Sequence, residues 1–241
     1  MALHRRTSTV RGRALPVLAT VAVLLATGSA AACSSGVVGT PRPVDHPAAG
    51  PLGDLLVDAS AFPEPYRAIV LPPSAVAQAA PDLTGVPPGA RVDPAGCKPP
   101  AQDYGPDGTA MVVGTDAASR ATVTVELVRT RTPLAELAAQ LTECPTVTTS
   151  HNGVDATVTT VLTPPPPADA DATLALRRTV TSGNVDRAVT QSMLTLLGQI
   201  GDVRVQATAM SFGSDQGAAN LDTTAVDELF TAALARVSAA R

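Results

Sequence analysis

The pair Asn152-Gly153 lies between two alternating polar and apolar segments, at residues 146–150 and 154–163. Asn-Gly in this position is typical of a two-residue β-hairpin turn, because both residues tolerate positive φ angles. The hairpin predicts that consecutive strands of the chain run antiparallel. Further strands, separated by turn and loop residues, are predicted at residues 66–71, 109–114, 121–130, 172–181, 188–197 and 203–211.

One helix is predicted in the middle of the chain, at residues 132–144. Thr132 is expected to cap it, and Pro133 is expected at its first helical position. Leucines and alanines recur on one side of this segment at the spacing of an amphipathic helix. Cys144 continues that apolar stripe, so its side chain is expected to face the core.

A second helix is predicted at the end of the chain, at residues 223–239, where residues 224–227 resemble a capping box. A short helix is predicted at residues 73–80, and an ordered loop at residues 83–108. The strands and helices do not alternate as regular βαβ units. The predicted fold class is therefore α+β, a single domain with a mainly antiparallel sheet and packed helices.

The composition restricts both the core and the partners of this chain. Hydrophobic residues make up 45% of the 241 residues, but aromatic residues make up only 2% and there is no Trp. The core must therefore be mostly aliphatic. The net charge of −4 offers no cationic field to phosphates, and few rings are present to stack on bases. Nucleic acid is therefore excluded as a partner.

The N-terminus has the three-part layout of a secretory signal peptide. Four arginines, an apolar run and a series of small residues follow one another within residues 1–32. A transmembrane anchor is the alternative. The strongly apolar run has only about a dozen residues, however, whereas a membrane-spanning helix needs roughly 20. We predict that residues 1–32 are a signal peptide.

The residue after this segment, Cys33, is a candidate lipid attachment site. The small residues 30–32 resemble the end of a lipobox, where a bacterial lipoprotein is cleaved before a lipidated cysteine. The chain is then anchored to the outer face of the cytoplasmic membrane. Ordinary cleavage, which leaves Cys33 as a free thiol, is the alternative. Residues 33–51 are rich in Pro and Gly and predict a flexible linker, so the folded domain is expected at residues 52–241.

The number of cysteines fits this interpretation. The chain contains Cys33, Cys97 and Cys144, and an odd number in an exported protein leaves one thiol without a partner. If Cys33 carries lipid, Cys97 and Cys144 remain to form one disulfide, which exported compartments permit. Two buried free thiols are the alternative.

Three segments carry a resemblance to known proteins: residues 54–66, 92–97 and 140–145. They resemble an actinobacterial lipoprotein family of unknown function, which is similar to the extracellular sensor domain of the mycobacterial Ser/Thr kinase PknH. The resemblance implies that Cys97 and Cys144 are bridged and that the fold contains a cleft for an unidentified ligand. The kinase sensor has a second disulfide, whose cysteines are absent from this chain.

No motif for catalysis, metal binding or cofactor binding is found in the sequence. There is no His-Glu-x-x-His, phosphate-binding loop or dinucleotide fingerprint. His151, the only histidine of the predicted domain, lies at the hairpin turn. We therefore expect no enzymatic activity, no catalytic residues, no metal and no cofactor.

Arg177 and Arg178 are the candidate ligand-binding residues. They are adjacent in a predicted strand, so their side chains point to opposite sides of the sheet. One of them is expected to enter a polar cleft and to orient an anionic head group. Two ordinary surface arginines are the alternative.

Two classes of function remain after these exclusions. The first is a non-enzymatic binding or sensor-like module outside the cytoplasmic membrane. It predicts a cavity between sheet and helices, lined by aliphatic side chains of residues 121–130 and 203–211. An apolar or amphiphilic envelope molecule fits such a cavity better than a sugar, which stacks on aromatic rings. The second is a structural or assembly partner in an envelope protein complex, which predicts an exposed apolar patch.

Overall fold

The computed structural model describes residues 50–183, 188–213 and 221–241. Within these ranges there are four α-helices, namely α1 (Leu52–Leu55), α2 (Pro73–Ala79), α3 (Leu134–Glu143) and α4 (Thr223–Ser238). The same ranges contain nine strands, namely β1 (Arg67–Val70), β2 (Arg91–Asp93), β3 (Thr109–Asp116), β4 (Ala121–Arg129), β5 (Thr146–His151), β6 (Val154–Thr163), β7 (Ala172–Ser182), β8 (Val189–Ile200) and β9 (Val203–Gly213).

All nine strands form one sheet in the order β1-β3-β4-β9-β8-β7-β6-β5-β2. Every neighbouring pair is antiparallel. The predicted α+β class, a single domain with an antiparallel sheet and packed helices, is confirmed. The order of the strands in the sheet differs from their order in the sequence. Strand β9 lies between β4 and β8, and β1 and β2 form the two edges of the sheet.

The β5–β6 hairpin turns at the predicted Asn152-Gly153, but His151, which was expected in the turn, is the last residue of β5. Asn152 has a φ angle of 51° and Gly153 a φ angle of 76°, and His151 pairs with Val154 on either side of them. Positive φ at both central residues is the requirement that Asn-Gly satisfies in a turn that matches the twist of its strands.

Strand β2 was not predicted, because it lies inside the segment expected to be a loop, residues 83–108. Val92 of β2 is the register partner of Thr149 in β5. β2 has three residues, too few to show alternation in a region rich in Pro and Gly. Pairing with a distant strand, rather than local pattern, forms this strand.

Both predicted helix caps were wrong by a short distance. Pro133 is the N-cap of α3 rather than its first helical residue, and no side chain, including that of Thr132, caps this helix. In α4 the cap is Asp222, whose Oδ1 accepts a hydrogen bond of 3.0 Å from the backbone N–H of Ala225. An aspartate in this position accepts a hydrogen bond from one of the otherwise unpaired N–H groups of the first turn. Its negative charge also interacts favourably with the dipole of the helix.

One face of the sheet is closed by α4, which packs on β4, β8 and β9. The side of α4 that faces the sheet is fully buried and consists of Ala225, Val226, Leu229, Phe230, Ala233, Leu234 and Val237. The helix approaches the sheet closely at Gly198, where a Cβ atom would lie 2.6 Å from Cδ2 of Leu234. This layer is mostly aliphatic, as the composition predicted, and it is filled with side chains.

The other face of the sheet is more polar, because the alternation of the strands places different residues there. Glu126 of β4, Gln206 of β9 and Leu197 of β8 are register partners across three neighbouring strands and lie on this face. Helix α3 packs on β6 and β7, and α2 packs on β3. These two helices cover the polar face only in part, and the candidate site described below lies beneath them.

A disulfide joins Cys97 to Cys144, with Cα atoms 5.6 Å apart. Cys97 ends a short 3-10 turn, and Cys144 follows the last residue of α3. The predicted bridge is confirmed, and the alternative of two free thiols is wrong. Cys33 and the predicted signal peptide lie outside the described residues. Among the described residues, no helix has the length and apolar character needed to cross a membrane.

Candidate functional site

A cavity of about 120 Å³ lies between the polar face of the sheet, helix α3 and the segment at residues 80–102. The disulfide forms part of its wall. Aliphatic side chains line one part of the cavity, among them Leu83, Leu137, Leu141, Leu176 and Leu197. Polar and charged side chains line the rest, among them Gln102, Glu126, Thr160, Arg178, Arg204 and Gln206. The site therefore combines an apolar wall with a small number of converging polar groups, as ligand sites do.

The register of β7 decides which of the two predicted arginines reaches this cavity. Arg178 pairs with Thr160 of β6, and both residues line the cavity. Arg177, one residue earlier, lies on the opposite face and is exposed. The prediction that adjacent residues in a strand point to opposite sides therefore places Arg178, and not Arg177, at the cavity.

Arg178 is half-buried and is held by two neutral acceptors. Its Nη1 donates to the backbone oxygen of Leu83 over 2.6 Å, and its Nε donates to Oγ1 of Thr160 over 3.2 Å. No carboxylate among the described residues forms an ion pair with it. Burial lowers the pKa of Arg178 to about 10, because desolvation disfavours the charged form. An anion in the cavity would compensate this charge.

Glu126 is the second charged group of the cavity and is only 2% exposed. Its Oε1 accepts a hydrogen bond from Nε2 of Gln102 over 2.7 Å, and its Oε2 accepts one from Nε2 of Gln206 over 2.8 Å. Burial raises the pKa of Glu126 to about 7, although Gln102 and the charge of Arg204 act in the opposite direction. The carboxyl group therefore titrates near neutral pH.

Gln102 connects the cavity to the loop that covers it. Both of its interactions start from the same Nε2 atom, which donates to Oε1 of Glu126 and, over 3.1 Å, to Oγ1 of Thr109. Gln102 precedes β3 in a segment without regular secondary structure. The amide of Gln102 thus fastens this segment to the buried carboxyl group of the sheet.

Arg204 is 8% exposed and fastens the start of α3 to the same region. Its Nη2 donates to the backbone oxygen of Thr132 over 2.6 Å, and its Nε donates to Oε1 of Gln199 over 3.3 Å. Burial lowers the pKa of Arg204, while the negative charge of Glu126 raises it. The two charges therefore stabilise each other across the cavity wall.

A wider groove of about 370 Å³ adjoins the cavity. The two spaces share five lining residues, namely Pro100, Gln102, Leu137, Gln140 and Arg204. Gln140, which lines both spaces, donates a hydrogen bond of 3.0 Å from its Nε2 to the backbone oxygen of Lys98. The cavity and the groove are therefore neighbouring spaces with a common wall.

The prediction of which side chains line the cavity was partly wrong. The segments at residues 121–130 and 203–211 do reach the cavity, but with Glu126, Arg204 and Gln206 rather than with aliphatic side chains. Most aliphatic residues of these strands belong to the core beneath α4, because alternation turns them to the other face. The apolar wall of the cavity comes instead from α3, from β5 to β8 and from the loop at residues 83–86.

Glu126, Gln102 and Arg204 were not predicted as site residues. The pattern that could have indicated them was a charged residue flanked by apolar residues within a strand, which occurs at Glu126 in β4 and at Arg204 in β9. Within the described ranges, no group of three His, Cys, Asp or Glu side chains is arranged to hold a metal ion. His151 hydrogen-bonds to Nδ2 of Asn152 over 2.9 Å at the hairpin and does not line the cavity.

The comparison with known families concerns nearly the whole described domain. Residues 57–238 match the family described as Domain of unknown function (DUF5642). The chain belongs to this DUF5642 family. The matched range contains both cysteines of the disulfide and every lining residue of the cavity, and the expectation of a family of unknown function is confirmed. No protein with a curated description matches the chain.

Two solved structures are similar to this DUF5642 chain. One is an uncharacterized protein of Mycobacterium smegmatis, an Rv0999 ortholog, with 20% identity and a TM-score of 0.43; the match covers 74% of this chain and 92% of that one. The other is the extracellular domain of PknH from Mycobacterium tuberculosis, with 15% identity and a TM-score of 0.42; the match covers 62% of this chain and 78% of that one.

Proposed function

We propose that this DUF5642 chain is a non-enzymatic, sensor-like binding module that takes an apolar or amphiphilic molecule of the cell envelope into the cavity at Arg178. The observation that carries this proposal is the half-buried guanidinium of Arg178. It faces an aliphatic wall and has no carboxylate partner among the described residues. A molecule with an anionic head and an aliphatic tail complements both parts.

The size of the cavity specifies how such a molecule fits. A cavity of about 150 Å³ holds one benzene molecule, so 120 Å³ accommodates a head group and a few carbon atoms. Small-molecule sites commonly have about 300–1,000 Å³. The remaining part of an amphiphile therefore lies in the adjoining groove of 370 Å³, along Leu137 and the backbone of residues 100–103.

Octanoate is a suitable probe, because it combines one carboxylate with a short aliphatic chain. Replacement of Arg178 by Gln, which removes the charge but keeps an amide donor, is expected to weaken octanoate binding tenfold or more. A charge-assisted hydrogen bond contributes about 1.5–3 kcal/mol. Isothermal titration calorimetry of the purified protein measures this difference.

Arg177→Gln is the matched control, since it makes the same chemical change one residue away on the exposed face. It is expected to leave the affinity for octanoate unchanged. Equal weakening by both variants would indicate a general charge effect and contradict the site. Absence of octanoate binding to the unaltered protein would contradict the proposed ligand class.

We also propose that the module is displayed outside the cytoplasmic membrane through a lipid on Cys33. The sequence around Cys33 and the family resemblance support this location. Replacement of Cys33 by Ser is expected to move the protein from the membrane fraction to the soluble fraction, because it removes the diacylated anchor: two or more acyl chains hold a protein stably at a membrane, whereas one binds only marginally. Immunoblotting of fractionated cells measures it, with Ser35→Ala as the control. A membrane-bound Cys33→Ser protein that keeps residues 1–32 would indicate a transmembrane anchor instead.

An assembly partner in an envelope protein complex is the second candidate function. Its supporting observation is the edge strand β1, where Ile69 is 63% exposed and Val70 is 54% exposed. Adjacent exposed aliphatic residues on a sheet edge favour contact with another protein. This function does not need Arg178, so the octanoate titration separates the two candidates.

A further inference from the structure

We infer that the cavity binds a monocarboxylate together with one proton, with the carboxylate held by Arg178 and the proton on Glu126. The inference rests on the proposed function, because it concerns a ligand at the same site. It adds the number of negative charges that the ligand carries and the pH range in which the ligand binds. Its support is the set of charged groups that surround one small space.

The guanidinium of Arg178 has unused donors that suit a carboxylate. An arginine carries five N–H bonds in a planar arrangement. In Arg178 one goes to Thr160 and one goes to Leu83, so three N–H bonds have no acceptor among the described residues. Two parallel N–H bonds match the two oxygens of a carboxylate.

The charges of the lining residues favour an anionic ligand in both protonation states of Glu126. The titratable groups among the lining residues are Glu126, Arg178 and Arg204, since both lining cysteines are in the disulfide. The cavity carries one net positive charge when Glu126 is ionised and two when Glu126 is protonated. A carboxylate therefore meets uncompensated positive charge in either state, and the excess is greater when Glu126 holds a proton. The free donors of Arg178 belong to one guanidinium, which fits one carboxylate.

Several elements packed around Glu126 contribute charged or titratable groups, and Glu126 is the one that titrates near neutral pH. Strand β9 contributes Arg204, β7 contributes Arg178 across the cavity, and the covering segment contributes Tyr104. The pKa of Tyr104 is raised by burial and by the charge of Glu126. Helix α3 contributes Glu136, which lines the adjoining groove and not the cavity.

The sign of the coupling follows from electrostatics. A carboxylate in the cavity repels an ionised Glu126 and excludes water from it, and both effects favour the protonated form. Binding therefore raises the pKa of Glu126 above its value of about 7 in the empty cavity. By reciprocity, protonation of Glu126 increases the affinity for the carboxylate.

The experiment measures octanoate affinity at pH 6, 7 and 8 for the purified protein and for Glu126→Gln. If binding raises the pKa of Glu126 by one unit or more, the affinity falls about fivefold or more from pH 6 to pH 8. Glu126→Gln is expected to lose this pH dependence. Octanol, which has no charge, is expected to show no comparable dependence in the unaltered protein.

A second measurement does not depend on the folding of any variant. Calorimetry of the unaltered protein at pH 7.5, in two buffers with different enthalpies of ionisation, reports the protons taken up with octanoate. A net uptake of a substantial fraction of one proton supports the inference. Octanoate binding that needs Arg178 but takes up no proton and is constant from pH 6 to pH 8 would overturn it and leave the proposed function intact. Absence of octanoate binding at every pH would overturn both.

Discussion

Replacement of both Cys97 and Cys144 by Ser is expected to lower the free energy of unfolding by about 4 kcal/mol. The bridge closes a loop across a sequence separation of 47 residues. In the chain-entropy model a loop of this length contributes roughly that amount, by restricting the unfolded chain. The loss is a large fraction of the total stability of a domain, which is commonly about 5–15 kcal/mol. Urea unfolding followed by circular dichroism measures it.

The control for this experiment is the unaltered protein unfolded in the presence of dithiothreitol. Reduction breaks the same bond without changing a side chain, so its unfolding curve is expected to approach that of the double variant. Loss of the bridge is also expected to disturb the cavity wall, because the bridge joins the covering segment to the end of α3. A double variant as stable as the oxidised protein would show that the bridge does not restrict the unfolded chain.

The second large effect is a decrease in stability as the pH rises from 5 to 8. Burial raises the pKa of Glu126 from 4.5 to about 7, so the folded state binds a proton that the unfolded state has already released in this range. A carboxyl group with a raised pKa stabilises the fold below the lower value and destabilises it as the pH rises through the higher one. The expected decrease is about 2–3 kcal/mol between pH 5 and pH 8.

Glu126→Gln is expected to flatten this dependence, since an amide does not titrate. The flattened slope is the expected result, not an unchanged free energy of unfolding at a given pH. In this variant the amide donors of Gln102 and Gln206 face a side chain with only one acceptor oxygen. Glu136→Gln is the control, because Glu136 is exposed on α3 and its substitution is expected to leave the slope unchanged. A slope that persists in Glu126→Gln would assign it to another group.

The fold was largely predictable, because its long strands and its last helix carry strong local patterns. The Asn152-Gly153 turn fixed the antiparallel direction, and the periodicity of α4 placed its buried side. The strand β2 was not predictable in this way, since three residues carry no alternation and pairing with β5 creates the strand. The helix starts were displaced by one or two residues from the predicted ones: α3 begins after Pro133 without a capping side chain, and Asp222 caps α4 in place of Thr224.

The candidate site was less predictable, because it depends on which face of each strand is covered. The pair Arg177-Arg178 indicated that one arginine would point inward, but the choice of Arg178 required the position of α3 and of the loop at Leu83. Glu126 was missed because its two amide partners come from a distant loop and a distant strand. The sequence showed only a charged residue in the middle of an apolar strand. Such a pattern predicts that the residue is buried, but not which residues form hydrogen bonds with it.

The position of β9 has a consequence for the order in which this domain folds. β9 joins the half of the sheet that contains β1, β3 and β4 to the half that begins with β8, and it follows the other eight described strands in the sequence. Before β9 pairs, the chain holds two partial sheets with open edges, which are prone to pair with other chains. Contacts of such long sequence separation also form slowly. A chain that stops before residue 203 is therefore expected to aggregate rather than to form a smaller version of the domain.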